Sequence, residues 1–410
     1  MYRQAYGSPE VDQTEPTATA ATISDDGLKV EIKVDGLVQG HVHDFFLPEL
    51  RSKEGKRLVH TSAYYTLNEI PKADDQSVQK PSPNQIPNSD LWLNFSGTKG
   101  TAEKPRPGNG KRIVLIAAEQ EYRSEQSMPM LAKVLSKHHG FDCTVLFSVN
   151  EQGEVDPTLP APFKDEQKDK RHRIPGLEHL GKADCVIWLS RFMQLPHDQL
   201  KHFHDYFDSG KPLIALRTAN HGLWRGTKYL KNEKQVSLRE LLGGTFMGHH
   251  GGWHREATAG IIVPENKTHP ILKGVKDIWG TSDVYRCHNK EHPVTQDSTV
   301  LVMGQPLVDL TRDAEPNETK EPLPIGWTKT WTGNQGKTSR IFHFTMGSAK
   351  DFENEGVRRL TTNAIYWGLE MESLIKPNSS VEIVGQYKPL KSGFNYQKLG
   401  VQPRKPSFYR

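Results

Sequence analysis

Four short apolar runs, each closed by polar residues and separated by longer mixed segments, constrain this chain most. They are Arg112–Ala118, Cys143–Val149, Asp184–Leu189 and Pro212–Leu216. Runs this short and continuous read as strands buried on both faces, as in a parallel sheet. Between the first two, Met128–His139 places Met130, Leu131, Val134 and Leu135 at helical spacing. His197–Phe207 supplies the helix before the fourth run. A strand–helix–strand alternation of this kind specifies an α/β fold with a doubly wound parallel sheet. Further strands are expected at Ala259–Val263, Thr299–Met303, Ile325–Trp331, Arg340–Thr345 and Ser380–Tyr387. A closing helix is expected at Asn354–Leu369, through Val357, Leu360, Ala364, Ile365 and Trp367.

The remaining segments divide by composition. Residues 1–26 read as a flexible lead-in rich in Thr, Ala, Gln and Pro. Residues 27–70 are strand-like: Leu28, Val30, Ile32 and Val34 alternate with polar neighbours, Asp35-Gly36 turns, and His41–Leu47 and Ala63–Leu67 offer further strands. Residues 71–110 read as a Lys/Ser/Pro/Asn/Gly linker, anchored by Leu91, Trp92 and Phe95. The main domain spans residues 111–387, with a polar excursion at Asn150–Arg173. Residues 388–410 read as a basic, loosely packed arm.

Bulk properties exclude several classes. With 53 basic and 49 acidic residues the net charge is only +4, and no Lys/Arg stripe interleaved with aromatics marks a nucleic-acid surface. No apolar run approaches the roughly 20 residues of a membrane span. Residues 1–20 show no apolar core of a secretory signal. Cys143, Cys185 and Cys287 are too widely spaced for a disulfide framework or a metal knuckle.

The candidate site lies between Pro212 and Glu256. The fourth strand stops at Arg217-Thr218-Ala219-Asn220-His221-Gly222, and polar residues at a strand's carboxyl end face the ligand crevice of an open α/β sheet. Then follows Met247-Gly248-His249-His250-Gly251-Gly252-Trp253-His254-Arg255-Glu256. Imidazole titrates near neutrality and ligates metals, so His221, His249, His250 and His254 are the leading candidates for chemistry. Adjacent His249 and His250 cannot point the same way on regular structure, so one of them at most joins His254. Glu121 and Arg123 follow the first strand and Arg191 the third. Arg191 and Arg217 at neighbouring strand ends are expected to clamp a carboxylate or polyhydroxylated ligand, or else to pair with Glu121 or Asp283. Asp283 and Tyr285 follow Trp279-Gly280 and are expected at the same mouth. Trp327 and Trp331 are candidates for a sugar platform or for core packing. No cofactor is required. A divalent metal on His249, His254 and Glu256 is an open alternative, as is a His-rich loop that grips hydroxyls without metal.

Two resemblances add to this reading. "DGLVQGHVHDFFLPELRSKEGKRLVHTSAYYTLNEIP" resembles the closing strands of Ig-like modules at the ends of large multidomain proteins from planctomycete-type bacteria. It implies a truncated module or the tail of a longer protein, and weights localisation towards outside the cytoplasm. From Lys111 to Tyr387, "EYRSEQSMPMLAKVLSKHHGFDCTVLF", "RTANHG", "HHGGWHRE", "THPILKGV", "SDVY", "GWTKTWTGNQGKTSRIFHFTMG" and "NEGVRRLTTNAIYW" occur in order. Together they resemble the ThuA-like family, named for trehalose utilisation. The resemblance implies a flavodoxin-like sheet similar to class I glutamine amidotransferases, and a link to sugar catabolism, especially of 3-keto-glycosides. It does not carry over glutamine hydrolysis. The turn that would hold a Cys or Ser nucleophile reads Arg217-Thr218-Ala219-Asn220-His221, without the glycines of a strained elbow.

The expectation is an enzyme acting on a carbohydrate or keto-sugar, with His221, His250 and Glu121 catalytic and Arg123, Arg191, Arg217, His249, His254, Glu256, Asp283 and Tyr285 contacting substrate. A non-catalytic carbohydrate-binding or scaffolding domain and a metal-dependent hydrolase are the alternatives. A homo-oligomer, or association with a larger multidomain protein, is the expected assembly.

Overall fold

The computed structural model describes residues 14–24, 30–49, 51–52, 55–57, 60–67, 90–101, 106–159, 173–287 and 294–410. The chain divides into two compact units, Met1–Gln85 and Ile86–Arg410. In the first, β1 (Thr17–Ile23) pairs antiparallel with β2 (Val30–Asp35), and β3 (Val42–Phe46) with β4 (Ser62–Thr66). Thr17–Ile23 therefore forms a strand where the composition reads as a lead-in. Residues 27–29 and 68–89 of the expected stub and linker lie outside the described residues.

The second unit is built on one ten-stranded sheet. Its strands, in chain order, are β5 (Trp92–Phe95), β6 (Arg112–Ala118), β7 (Asp142–Phe147), β8 (Cys185–Ser190), β9 (Leu213–Leu216), β12 (Thr258–Ile262), β13 (Trp279–Gly280), β14 (Thr299–Pro306), β15 (Leu323–Thr332) and β16 (Thr338–Phe344). A small hairpin, β10 (Leu230–Lys231) with β11 (Lys234–Gln235), stands apart. Across the sheet the order is β13-β12-β14-β15-β16-β9-β8-β6-β7-β5. The ladders joining β16, β9, β8, β6 and β7 are parallel, and all the others are antiparallel. The four apolar runs thus lie side by side in the parallel centre.

Successive residues of the central strands feed opposite faces, as the period of two requires. Ile113, Leu115, Ala117, Ile187, Leu189, Ile214 and Leu216 join the core under α1 (Ser124–Val134) and α4 (Glu355–Gly368). Val114, Ile116, Ala118, Val186, Trp188, Leu213 and Ala215 join the core under α2 (His197–Asp208) and α3 (Leu238–Leu242). Two covered faces explain why Ile113–Ala118, Cys185–Leu189 and Leu213–Leu216 are unbroken apolar runs. α1 continues into a π-helical turn, Leu135–His139, where one continuous helix was expected. α4 starts at Asn354, whose side chain accepts the Val357 N–H.

Three expectations are corrected here. Ser380–Tyr387 forms no strand. Its neighbourhood is tied to helices by side chains instead: Arg358 donates to the Val381 carbonyl and His139 bonds the Ser380 carbonyl. Trp92–Phe95 is an edge strand on β7, so that part of the expected linker belongs to the sheet. The arm 388–410 is packed, not loose: it contains α5 (Tyr396–Leu399), Pro406 is buried, and Tyr409 lies 6.0 Å from the Phe147 ring. Trp327 and Trp331 are both buried, with indole N–H groups on the Leu242 and Phe207 carbonyls, so they pack the core. Among the described residues no helix is long and apolar enough to cross a membrane.

Because β6 has β7 on one side and β8 on the other, the chain reverses its direction of travel across the sheet here. The crevice beyond the carboxyl ends of β6 and β8 is where such a fold places a ligand. A chain lacking residues 1–85 should unfold cooperatively within about 3 °C of the full chain, the shift expected from at most ~1 kcal/mol. Extending the deletion through residue 105 removes Trp92 and Leu93 from the sheet edge and should lower the midpoint by about 5–10 °C, read by calorimetry. Equal midpoints would show that β5 contributes nothing.

Candidate functional site

The turn after β9 is strained and charged. Arg217 adopts φ 44°, a left-handed conformation that costs a non-glycine residue about 1–2 kcal/mol. The strained position of this turn holds a guanidinium, not a nucleophile. Arg217 is fully buried. Its guanidinium lies 3.6 Å from the Tyr285 ring centroid and 4.4 Å from that of Tyr122. It donates to the Asp283 carbonyl (2.7 Å), the Thr345 carbonyl (2.8 Å), the Tyr122 hydroxyl (2.9 Å) and Asp283 Oδ1 (2.7 Å). Burial works against its charge, but Tyr122, Tyr285 and Asp283 hold it protonated. Arg217 is thus closed to a ligand, and so are Asp283 and Tyr285, each 2 % exposed.

Asp283 passes this charge outward. Its Oδ2 lies 2.7 Å from Nδ1 of His249, a side chain 35 % exposed. In the neutral imidazole this contact fixes the proton on Nδ1 and leaves the Nε2 lone pair free. The loop that carries His249 pairs with residues 284–286: Met247 N–H donates to Arg286 O, His250 and Gly251 N–H to Val284 O, and Arg286 N–H to Gly248 O. Strand-like pairing turns adjacent side chains to opposite sides. His249 therefore meets Asp283, while His250 bonds the Glu321 carbonyl through Nε2. A Cβ on Gly251 would stand 2.9 Å from Val284 N and 3.0 Å from Asp283 Cβ, so only glycine lets the loop press this close.

A second carboxylate orients the second imidazole. Glu121, 3 % exposed, accepts from Trp253 Nε1 (2.6 Å) and His254 Nε2 (2.8 Å) on one oxygen. Its other oxygen lies 3.5 Å from Arg191 Nε. Burial resists ionisation, yet His254, Arg191 and Trp253 keep the Glu121 carboxyl below its ordinary range. Glu121 is thus an anchor with its oxygens engaged, not a free base.

His221 is nearly buried, its Nδ1 2.8 Å from Asn220 Oδ1. The Asn220 amide donates to Cys287 Sγ, so the amide oxygen faces the ring and takes the Nδ1–H. Burial, together with Arg191 and Arg217, pushes the His221 pKa well below the usual imidazole value. It stays neutral at physiological pH and is a hydrogen-bonding group more than a proton shuttle.

These side chains close a circuit of contacts. Ring centroids of His221 and Phe192 are 4.8 Å apart, and the Arg191 guanidinium lies 5.0 Å from Phe192 and 4.9 Å from Phe394. Phe394 is 6.3 Å from Trp253, Trp253 5.7 Å from His249, His249 5.1 Å from Phe246, and Phe246 4.7 Å from His221. Trp253 and Phe394 are 43 % and 38 % exposed, so the circuit opens to solvent. His249, His254 and His221 are brought together with Arg191 and Glu121.

Other expected residues go elsewhere. Arg123 is fully buried and braces backbone, donating to the carbonyls of Gln120, Glu121 and Gly393. Glu256 pairs with Lys320 (2.7 Å) and accepts from Gly252 N–H and Asn317, which folds its own loop. His249, His254 and Glu256 therefore serve three different partners and do not form a ligand set. Among the described residues no three His, Cys, Asp or Glu side chains group as metal ligands. Phe192, Phe246, Trp253 and Phe394 were not singled out by sequence reasoning. Trp253 carried a signal, standing in the His-rich motif; Phe394, in an arm without periodicity, carried none.

Glu119, at the end of β6, accepts the N–H groups of Glu121 and Tyr122. Burial, then Glu121, raises its pKa from 4.5 to about 7. The folded state therefore binds this proton more tightly than the unfolded one, and stability is lost as pH rises from 4.5 to about 7. Relative to wild type, Glu119→Gln should gain stability across that window, measured by urea denaturation at several pH values; a difference constant with pH would refute the assignment. Asp283→Ala leaves the Arg217 guanidinium buried without its carboxylate, and should cost about 3–5 kcal/mol in the same measurement.

The model of the ThuA family, described as trehalose utilisation, matches residues 112–368. No curated protein matches the chain. Among solved structures, one described as a ThuA-like protein from Bacteroides uniformis matches at 16% identity and TM-score 0.41, covering 65% of this chain and 95% of that one. Another from Parabacteroides merdae matches at 14% identity and TM-score 0.38, covering 73% and 99%.

Proposed function

The chain belongs to the ThuA family, and for this member we propose an acid–base enzyme acting on a keto-sugar such as a 3-keto-glycoside. The observation that carries the proposal is the pairing of two imidazoles, each oriented by its own buried carboxylate and each in ring contact with Trp253: Asp283 for His249, Glu121 for His254. In this reading His249 Nε2 takes the proton from the carbon beside the sugar carbonyl. The electron pair moves onto the carbonyl oxygen, which Arg191 stabilises as it becomes negative. Collapse of that enolate either expels the aglycone, with the imidazolium form of His254, Nε2–H held by Glu121, giving its Nδ1 proton to the departing oxygen and ending neutral, or takes a proton back at another carbon. Elimination and isomerisation thus share one first step, and neither needs a further reactant. Trp253, its N–H tied to Glu121, offers a ring face to the sugar. Neutral His221 binds a hydroxyl.

The first step is directly observable. In D2O the protein should exchange the hydrogen beside the carbonyl of a methyl 3-keto-glucoside, followed by NMR. His249→Ala should slow exchange about 10²–10⁴-fold, the usual worth of a positioned base. His254→Gln should cut product formation more than exchange. Sugar binding with no exchange in wild type would sink the proposal in favour of a carbohydrate-binding domain.

A further inference from the structure

The family match ends at residue 368, yet the chain beyond it returns to the site. Leu390 N–H donates to the Gln126 side chain (2.9 Å). Gly393 is held on both sides: its N–H donates to the Glu121 carbonyl (3.0 Å), and its carbonyl accepts from Arg123 (3.0 Å). Asn395 caps α5 by accepting the Lys398 N–H (3.1 Å). Downstream, Arg404 and Val155 exchange backbone hydrogen bonds and Pro406 is buried. The residue between these ties, Phe394, is therefore fixed in place although it is 38 % exposed.

What it fixes is Arg191. The guanidinium lies over both the Phe192 and the Phe394 rings, 5.0 and 4.9 Å from their centroids, with Nε 3.5 Å from Glu121. Phe192, next in the chain to Arg191, holds a left-handed conformation (φ 48°). A cation over two rings loses freedom without losing the donors that lie in its plane. Those donors suit a carbonyl oxygen that gains negative charge.

We propose that Phe394 is a positioning residue of this site: with Phe192 it holds the Arg191 guanidinium over two rings, so that residues 388–410 complete the site. The kinetic consequence rests on the acid–base reading above; the conformational one does not. Both are tested in the full chain. Phe394→Ala should lower kcat/KM for a methyl 3-keto-glucoside about 5- to 30-fold, the worth of a partly desolvated cation–π contact. Phe394→Tyr should stay near wild type, and Phe394→Leu, which keeps bulk without a ring face, should fall between. Independently, hydrogen exchange at Arg191–Met193 and Trp253–Arg255 should quicken several-fold in Phe394→Ala and not in Phe394→Tyr. Unchanged exchange in Phe394→Ala, or full recovery of both readouts by Phe394→Leu, would overturn the positioning role. If wild type turns over no keto-glycoside, the acid–base reading falls, and the exchange measurement still decides the role of Phe394.

Discussion

A guanidinium with no access to water must be answered by its surroundings, and Arg217 organises the site through that requirement. Leaving such a charge unpaired costs several kcal/mol. The answer draws on three distant parts of the chain: Tyr122 after β6, Asp283 and Tyr285 before β14, and Thr345 after β16. Pairing the two terminal nitrogens of Arg217 therefore fastens the parallel half of the sheet to its antiparallel extension. It also fixes Asp283, and with it the direction of His249. The strain at φ 44° is the cost of placing the charge at that crossing.

The parallel core was legible because its physics is local. A strand covered on both faces has to be apolar where it is covered, and Ile113–Ala118 of β6, Cys185–Leu189 of β8 and all of β9 are. Their polar ends were legible for the same reason, since the change from Leu216 to Arg217 marks where the sheet stops. The direction of each polar side chain was not legible. His249 and His250 are neighbours of one chemical type, and only the pairing of their loop with Val284–Arg286 decides which turns inward. Arg217 and Arg191 look alike at two strand ends; one is sealed by tyrosines and the other is partly open. Glu256, three residues after Trp253, is claimed by Lys320 from far along the chain. Such choices depend on contacts between distant segments, which no periodicity reports.

The same limit explains the misread ends of the main unit. Trp92–Phe95 lies in a stretch rich in Ser, Asn and Gly, but β7 offers an open edge, and an unpaired edge recruits whatever apolar segment can reach it. The arm 388–410 is polar and contains prolines, a composition that ordinarily stays loose. Its order comes from hydrogen bonds to backbone around Glu121 and from a few aromatic contacts, not from an apolar face.

The division of labour among the charged groups bears on which chemistry fits. A metal centre gathers several ligands onto one ion, but here the ligand-type side chains are spread in pairs: His249 with Asp283, His254 with Glu121, Glu256 with Lys320. Pairing of this sort fixes tautomers, because each carboxylate takes one ring N–H and leaves the other nitrogen unengaged by it. In the proposed reaction the neutral form of one accepts a proton and the imidazolium form of the other gives one up. Neutral His221 adds no competing charge beside Arg191. The aromatic rim of Trp253, Phe246, Phe192 and Phe394 supplies the apolar surface against which a ring with few charges of its own can lose water. The substrate we propose, a polyhydroxylated ring carrying a carbonyl, would offer a face to Trp253, hydroxyls to His221 and an oxygen to Arg191.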